Sequence, residues 1–148
     1  QLKSFTAGSV TRLSGASRYE TSAAISKASF GAGVPVAYVA NGATFPDALS
    51  GAPVAGMNKG PVLLVAAGSI PDAISAELKR LKPKKIVILG GNGAVSVAVQ
   101  SQLKSFTAGS VTRLSGASRY ETSAAISKAS FGAGVPVAYV ANGATFPD

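Results

Sequence analysis

Short apolar runs recur along the chain at a regular interval. They begin near Val10 (VTRL), Val36 (VAYVA), Pro61 (PVLLVA) and Lys85 (KIVILG), 24 to 26 residues apart, and two of them return near Val111 and Val137. Each run has the length and apolar content of a strand, and each interval holds a helical pattern. The sequence therefore predicts βα units, four in each repeat.

The intervals also carry signals for the start of a helix. Ser17 followed by Glu20 is a capping box. Thr44-Phe-Pro-Asp47 and Ser69-Ile-Pro-Asp72 share a hydroxyl N-cap, a proline in the first turn and an acid at the third helical position. A helix-capping carboxylate explains both aspartates, so this pattern favours capping over an acid catalyst or a metal ligand.

The polarity of the strands selects the architecture. A continuous β/α solenoid would leave its strands half exposed and therefore alternating, whereas VAYVA, PVLLVA and KIVILG are apolar on both faces. Strands of that kind belong to a parallel sheet between two helix layers. We therefore predict a three-layer α/β fold with an open, doubly wound parallel sheet. VTRL is shorter and more polar and is predicted to be the edge strand.

The first 47 residues recur without change as residues 102–148. Such identity indicates a recent duplication, selection for uniformity or engineering. We expect residues 1–101 to form one full unit and residues 102–148 a partial second copy. Identical strands then compete for one slot, and the outcome is a six-stranded sheet, a swapped dimer or a head-to-tail polymer. We expect the surplus half to associate with another chain, because an uncovered strand exposes apolar surface and a free edge.

Composition removes several classes of function. Apolar residues make up 47% of the chain and charged residues 14%, which is typical of a folded domain. The absence of Cys and His excludes disulfide frameworks, thiolate or imidazole metal sites and a Ser-His-Asp triad. No apolar run approaches the length of a membrane span, and no signal peptide is visible. The net charge of +8 favours an anionic partner.

Four residues are candidates for binding such a partner. Arg12 and Arg18 flank the carboxyl end of the first predicted strand, where open α/β sheets bind ligands, and a guanidinium suits phosphate or carboxylate. Ion pairs with Glu20 or Asp47 are the alternative. Tyr19 either stacks on a sugar or packs on the sheet, and Asn41 either binds ligand or forms a turn.

Two further segments are weaker candidates. Five cations between Lys79 and Lys85 span a helix end and the next strand, opposite the carboxyl edge, and are expected to be solvated or a diffuse second contact. Gly90-Gly91-Asn92-Gly93 resembles a dinucleotide loop, but the third glycine and the ribose-binding acid are missing, so no cofactor is predicted. Nucleic acid ranks low because the cations are dispersed and no recognition helix is visible.

The order of these motifs resembles the cell-wall-binding repeat type 2 family of Gram-positive surface and S-layer proteins. The resemblance is carried by VTRLSGASRYETSAAISKASF, VAYVANGATFPDALSGAPVAG, PVLLVA and LKRLKPKKIVILGGNGAVS, and it covers the whole unit. The pairing of RLSGxxRYET with ANGxxFPDAL is specific. This family's third strand often reads Ile-Leu-Leu, a segment tied to polymer binding, and here it is Val62-Leu63-Leu64.

The resemblance implies an open α/β fold and non-covalent anchoring of an extracellular surface protein to an anionic, teichoic-type wall polymer. The polymer-binding residues that we predict are Arg12, Arg18, Tyr19, Asn41, Leu63 and Leu64, with the second copies Arg113, Arg119, Tyr120 and Asn142. The alternative function is a self-assembling stalk or fibre repeat with no specific ligand. An enzyme is the least favoured class, because few catalytic residue types remain.

Overall fold

A computed structural model describes residues 2–145 and contains one parallel sheet. Its strands are β1 (Ala37–Asn41), β2 (Val62–Val65), β3 (Ile86–Leu89) and β4 (Val111–Leu114). They lie in the order β2-β1-β3-β4, and every neighbouring pair is parallel. All five residues of β1 and all four of β3 are buried, as expected for strands covered on both faces.

Five helices cover the two faces of the sheet. They are α1 (Arg18–Ser29), α2 (Pro46–Met57), α3 (Asp72–Leu81), α4 (Val97–Leu103) and α5 (Arg119–Ser130), with short 3-10 turns at Leu2–Phe5 and Lys104–Phe106. Side chains of α1, α3 and α4 share one core with one face of the sheet, whereas α2 and α5 pack on the other face. The predicted three-layer, doubly wound α/β fold is confirmed, and the solenoid alternative is wrong.

The helix start signals had mixed outcomes. The capping box is confirmed, because Ser17 Oγ accepts the Glu20 N–H and Glu20 Oε2 accepts the Ser17 N–H at 3.1 Å. The predicted hydroxyl caps at Thr44 and Ser69 are wrong: α2 and α3 begin one or two residues later, and their N-cap positions make no side-chain cap bond. Pro46 fixes φ in the first turn of α2 and Pro71 fixes it at the N-cap of α3, and neither start uses a hydroxyl.

Only one copy of each duplicated strand enters the sheet. Residues 111–114 form β4 at the sheet edge, so the edge position of VTRL is confirmed for the second copy, whereas residues 10–13 lie exposed outside the sheet. The reverse holds for VAYVA, since residues 37–41 form central β1 while the equivalent residues 138–142 are exposed and not in a strand. The strands predicted near Val10 and Val137 are therefore wrong, and no six-stranded sheet forms within residues 2–145.

Chain connectivity explains which copy enters. Residues 111–114 follow β3 through one α-helix, and residues 37–41 lead into β2 through one α-helix, so both reach their slots by short crossover connections. The sheet therefore takes strands from both copies of the repeat. A unit boundary at residue 101 remains a prediction.

Candidate functional site

The sheet has a topological switch point between β1 and β3. The chain leaves β1 through α2 towards β2, and it leaves β3 through α4 towards β4 on the other face. Loops after the two strands therefore diverge and leave a crevice at the carboxyl edge, where open α/β sheets bind ligands. Asn41 ties the two loops together, because its Nδ2 donates to Ala94 O at 2.8 Å.

The first-copy candidates Arg18, Tyr19 and Asn41 meet at the glycine that follows β1. Arg18 Nη1 donates to Gly42 O at 2.5 Å, and a Cβ on Gly42 would lie 2.7 Å from Tyr19 Cε1. The Arg18 side chain is nevertheless exposed, whereas Tyr19 is partly buried against the core. Asn41 is 6% exposed, and its Oδ1 accepts the Ala43 N–H at 2.7 Å. The turn interpretation of Asn41 therefore fits the structure better than ligand contact.

The second-copy candidates repeat this local arrangement at the surface. Arg119 Nη1 donates to Gly143 O at 2.8 Å, and a Cβ on Gly143 would lie 2.6 Å from Tyr120 Cε1. Tyr120 is 60% exposed, and Asn142 is exposed as well. These residues line a groove of about 480 Å³ beside α2. Guanidinium, phenol and amide are thus presented together to solvent.

The duplicated arginines of VTRL have different environments. Arg12 is exposed. The guanidinium of Arg113 donates to Gly90 O, Gly91 O, Val95 O and, through two nitrogens, Gln100 Oε1, at 2.7 to 3.3 Å. Burial lowers the pKa of Arg113. Because these five bonds match its five N–H donors, Arg113 holds the glycine loop in place and has no donor left for a polymer.

The two leucines of β2 differ in accessibility. Leu63 is fully buried in the core, so it offers no surface to a ligand. Leu64 is partly buried and lines an apolar groove of about 440 Å³ between α1 and α2. Its N–H donates to Ser22 Oγ at 3.2 Å, which covers part of the outer edge of β2. Of the Leu63–Leu64 pair, Leu64 alone has a side chain that a polymer can reach.

Asp47 lies in a smaller cleft of about 310 Å³ with Arg119 at the carboxyl edge. Burial raises its pKa, and the charge of Arg119 partly opposes that effect. Gly90 has a φ of +100°, and a Cβ there would lie 2.2 Å from Asp47 Oδ2. Glycine is therefore needed at position 90 both for its conformation and for the approach of the carboxylate.

The cationic segment at the opposite edge contains both exposed cations and one that is hydrogen-bonded within the protein. Lys79, Lys82, Lys84 and Lys85 are exposed. Arg80, by contrast, donates to both oxygens of buried Glu77 at 2.7 to 2.8 Å and to Phe30 O at 2.7 Å.

Ser26 Oγ completes this network by donating to Glu77 Oε1 at 2.5 Å, which links α1 to α3. Burial of Glu77 acts to raise its pKa, but hydrogen bonds from Arg80 and Ser26 and the Arg80 charge outweigh it and lower the pKa. Sequence reasoning missed this network, since a single helical Glu in a polar pattern gives no sign of burial.

Within residues 2–145, no group of His, Cys, Asp and Glu side chains is arranged to hold a metal ion. Across that same range, every helix is too short or too polar to cross a bilayer.

Comparisons with known proteins agree with the fold and the motifs. Residues 12–100 and 113–148 match the model of the family described as Cell wall binding domain 2 (CWB2). Similar solved structures include Cwp6 from Clostridium difficile, with a TM-score of 0.73 and 39% identity over 79% of this chain. Cwp8 from Clostridium difficile is also similar, with a TM-score of 0.72 and 35% identity over 78% of this chain.

The match covers 18% of the Cwp6 chain and 20% of the Cwp8 chain. No curated protein sequence matches this chain. The family match nevertheless spans most of the chain, and it agrees with the order of motifs and with the parallel α/β sheet. The chain belongs to the Cell wall binding domain 2 family.

Proposed function

We propose that this chain is a non-catalytic module that retains a surface protein on the bacterial cell wall by binding an anionic wall polymer. Membership of a cell wall binding family supports the wall as the target and the cell surface as the location. The net charge of +8 supports an acidic polymer over a neutral one. The observation that carries the proposal is the pair of exposed guanidinium groups, Arg18 and Arg119, at the carboxyl edge.

Both arginines are fixed in place yet retain free donors. Each uses Nη1 on a loop carbonyl, of Gly42 or Gly143, which orients the planar group. The remaining N–H donors face solvent and suit a phosphate or carboxylate. Tyr120 and Asn142 lie beside Arg119 and offer a ring face and an amide to a sugar. Arg12 and Leu64 are secondary contacts in this proposal, and Arg113, Asn41 and Leu63 support the site from within.

The test is co-sedimentation with purified Gram-positive walls before and after chemical removal of their anionic polymers. We expect wild-type binding to disappear on stripping. Arg18→Ala with Arg119→Ala should weaken binding to intact walls about 100-fold, since each lost charge-assisted contact contributes roughly 1.5 kcal/mol. Urea unfolding of the variant, measured in parallel, separates loss of contact from loss of fold.

A matched control removes the same charge from the opposite edge. Lys79→Ala with Lys82→Ala lowers the net charge by the same amount and should weaken binding less than threefold. Equal losses for both double variants would mean diffuse attraction to a polyanion and would refute a site at the carboxyl edge. Binding that survives stripping would move the target to peptidoglycan.

Self-assembly is the second candidate function, and a specific observation favours it. Val137, Tyr139 and Val140 are 59%, 95% and 96% exposed, although their first-copy equivalents, immediately before β1 and within it, are buried. Light scattering across micromolar concentrations tests this candidate. Assembly through apolar strands should persist at high salt, whereas polyanion binding should weaken steeply.

A further inference from the structure

Helices α1 and α5 have the same sequence but pack in different places. Helix α1 packs against β2 and α3, on one face of the sheet. Helix α5 packs against α2 and β4, on the other face. Because the two sequences are identical, their helix propensities cannot distinguish them. The two copies therefore show two different surfaces that the same helix is able to bury.

The two copies bury opposite sides of the helix. In α1 the buried side carries Tyr19, Ala23 and Ser26, which we call the Tyr-Ala-Ser stripe (Tyr120, Ala124 and Ser127 in α5). In α5 the buried side carries Thr122 and Ile126, the Thr-Ile stripe (Thr21 and Ile25 in α1). Successive helical residues are about 100° apart, so the stripes lie on nearly opposite sides.

Each stripe is more buried in one copy than in the other, and Ile25/Ile126 and Ser26/Ser127 show the contrast most clearly. Ile126 is 1% exposed and Ile25 is 46% exposed. Ser26 is 1% exposed and bonded to Glu77, whereas Ser127 is exposed. Ser22 accepts the Leu64 N–H, whereas Ser123 is exposed. Both stripes therefore have a complementary surface that is visible in this molecule.

The segment that follows each helix shows the same contrast. After α1 the chain enters β1, at the centre of the sheet, where Tyr38 is 3% exposed. After α5 the same sequence lies outside the sheet, and the equivalent Tyr139 is 95% exposed. The accessible stripe of α5 thus continues into an uncovered copy of a central strand.

We propose that residues 119–141 dock on the next copy of this repeat unit, so that one helix is shared by two consecutive units. Its Thr-Ile stripe stays on α2 and β4 of the preceding unit. Its Tyr-Ala-Ser stripe docks on the surface that β2 and α3 of the following unit present, and residues 138–141 enter the central strand of that unit. Ser127 then donates to the buried glutamate equivalent to Glu77, as Ser26 does here.

Within the 148-residue chain this surface is already occupied by its own α1. A second chain must therefore compete with an identical helix that is covalently attached, which favours the intramolecular contact. The proposal does not rest on polymer binding. It leaves both arginines available to a polymer, because Arg18 remains exposed although α1 is docked, and Arg119 is expected to remain exposed in the same way. Tyr120 and Asn142, by contrast, are open to a sugar only before docking, because their docked counterparts Tyr19 and Asn41 are covered.

Cysteine accessibility tests the proposal, because the chain has no cysteine of its own. Ser26→Cys, Ser127→Cys, Ile25→Cys and Ile126→Cys are made singly in the 148-residue chain and in an extended chain that continues with a second copy of residues 48–148. In the 148-residue chain we expect positions 127 and 25 to react with a thiol reagent at least about 100-fold faster than positions 26 and 126.

In the extended chain Ser127→Cys should become at least about 100-fold slower, while Ile25→Cys stays fast and positions 26 and 126 stay slow. An unchanged rate at position 127 would overturn the proposal. So would failure of the added copy to fold, since the proposal assigns residues 119–141 as the part that it lacks. Ser127→Arg provides a second readout: it should leave the 148-residue chain folded and remove the far-ultraviolet circular dichroism of the added copy.

Discussion

The two isoleucines at the same position of the repeated helix allow a matched stability measurement. Ile25 and Ile126 have identical neighbours for many residues on either side, yet one is 46% exposed and the other 1% exposed. Replacing either by Ala changes helix propensity by the same amount, so that contribution cancels between the two variants. The difference in the free energy of unfolding therefore measures tertiary burial alone.

The structure gives the magnitude of this difference. Full burial of an isoleucine side chain contributes about 1.5–3 kcal/mol, and truncation to Ala in a packed site adds a cavity cost, so Ile126→Ala should cost about 3 kcal/mol. Ile25 retains nearly half of its exposure and can relax into solvent, so Ile25→Ala should cost about 1 kcal/mol. With an m-value of about 2 kcal/mol per molar urea, the two midpoints should differ by about 1 M.

The assay is equilibrium urea unfolding followed by circular dichroism, with both variants at the same concentration. The midpoint of Ile126→Ala should fall below that of Ile25→Ala, and the m-values should agree. Equal midpoints would refute the assignment of the two helix copies to different environments. A lower midpoint for Ile25→Ala would mean that the other copy of the helix packs against α2.

Three further measurements follow from the structure, and two of them compare matched positions. Arg113→Ala should lower the free energy of unfolding by about 2 kcal/mol, because it removes five hydrogen bonds to part-buried acceptors in the loop after β3 and on Gln100, whereas Arg12→Ala should change it by less than about 0.5 kcal/mol in the same urea assay. Gly90→Ala should cost about 1–3 kcal/mol through its positive φ and its contact with a carboxylate, while Gly91→Ala, which meets no atom within 4 Å, should be nearly neutral by thermal unfolding. The folded-state pKa of Glu77 is lowered, so its contribution to stability is present above its unfolded pKa and is lost as pH falls through the folded pKa. Glu77→Gln should therefore reduce the pH dependence of the urea midpoint between about pH 5 and 3. A pH dependence equal to that of the unsubstituted protein would contradict the network with Arg80.

Local pattern was sufficient to predict most of the layers. The runs that form β2 and β3 and the first VAYVA copy are apolar on both faces, and this property alone requires helix layers above and below a parallel sheet. The capping box at Ser17 was equally readable, because both of its hydrogen bonds join residues three positions apart. By contrast, the starts of α2 and α3 depend on proline geometry and were misplaced by one or two residues.

The candidate site was predicted less completely. Arg18 and Arg119 both lie at the carboxyl edge, but Arg18 lies there beside the end of β1, because the strand predicted to precede it does not form. Their role in polymer binding remains a prediction. The number of donors left for a ligand was not predictable, since it depends on carbonyls far away in sequence. Arg113 is satisfied by the loop after β3 and by Gln100, whereas Arg12 has the same neighbours in sequence and lies exposed.

The repeat allows the effect of local sequence and the effect of tertiary context to be distinguished within one molecule. Residues 1–47 and 102–148 have identical local preferences, and indeed both copies form the same helix, Arg18–Ser29 and Arg119–Ser130. Which VTRL becomes an edge strand, which VAYVA becomes the centre of the sheet and which side of the helix is buried differ between the copies. Sequence determined the helices, because their hydrogen bonds and periodicity are local. Tertiary structure decided the use of each copy, because each slot in the sheet admits one strand and the connecting helix fixes which copy reaches it.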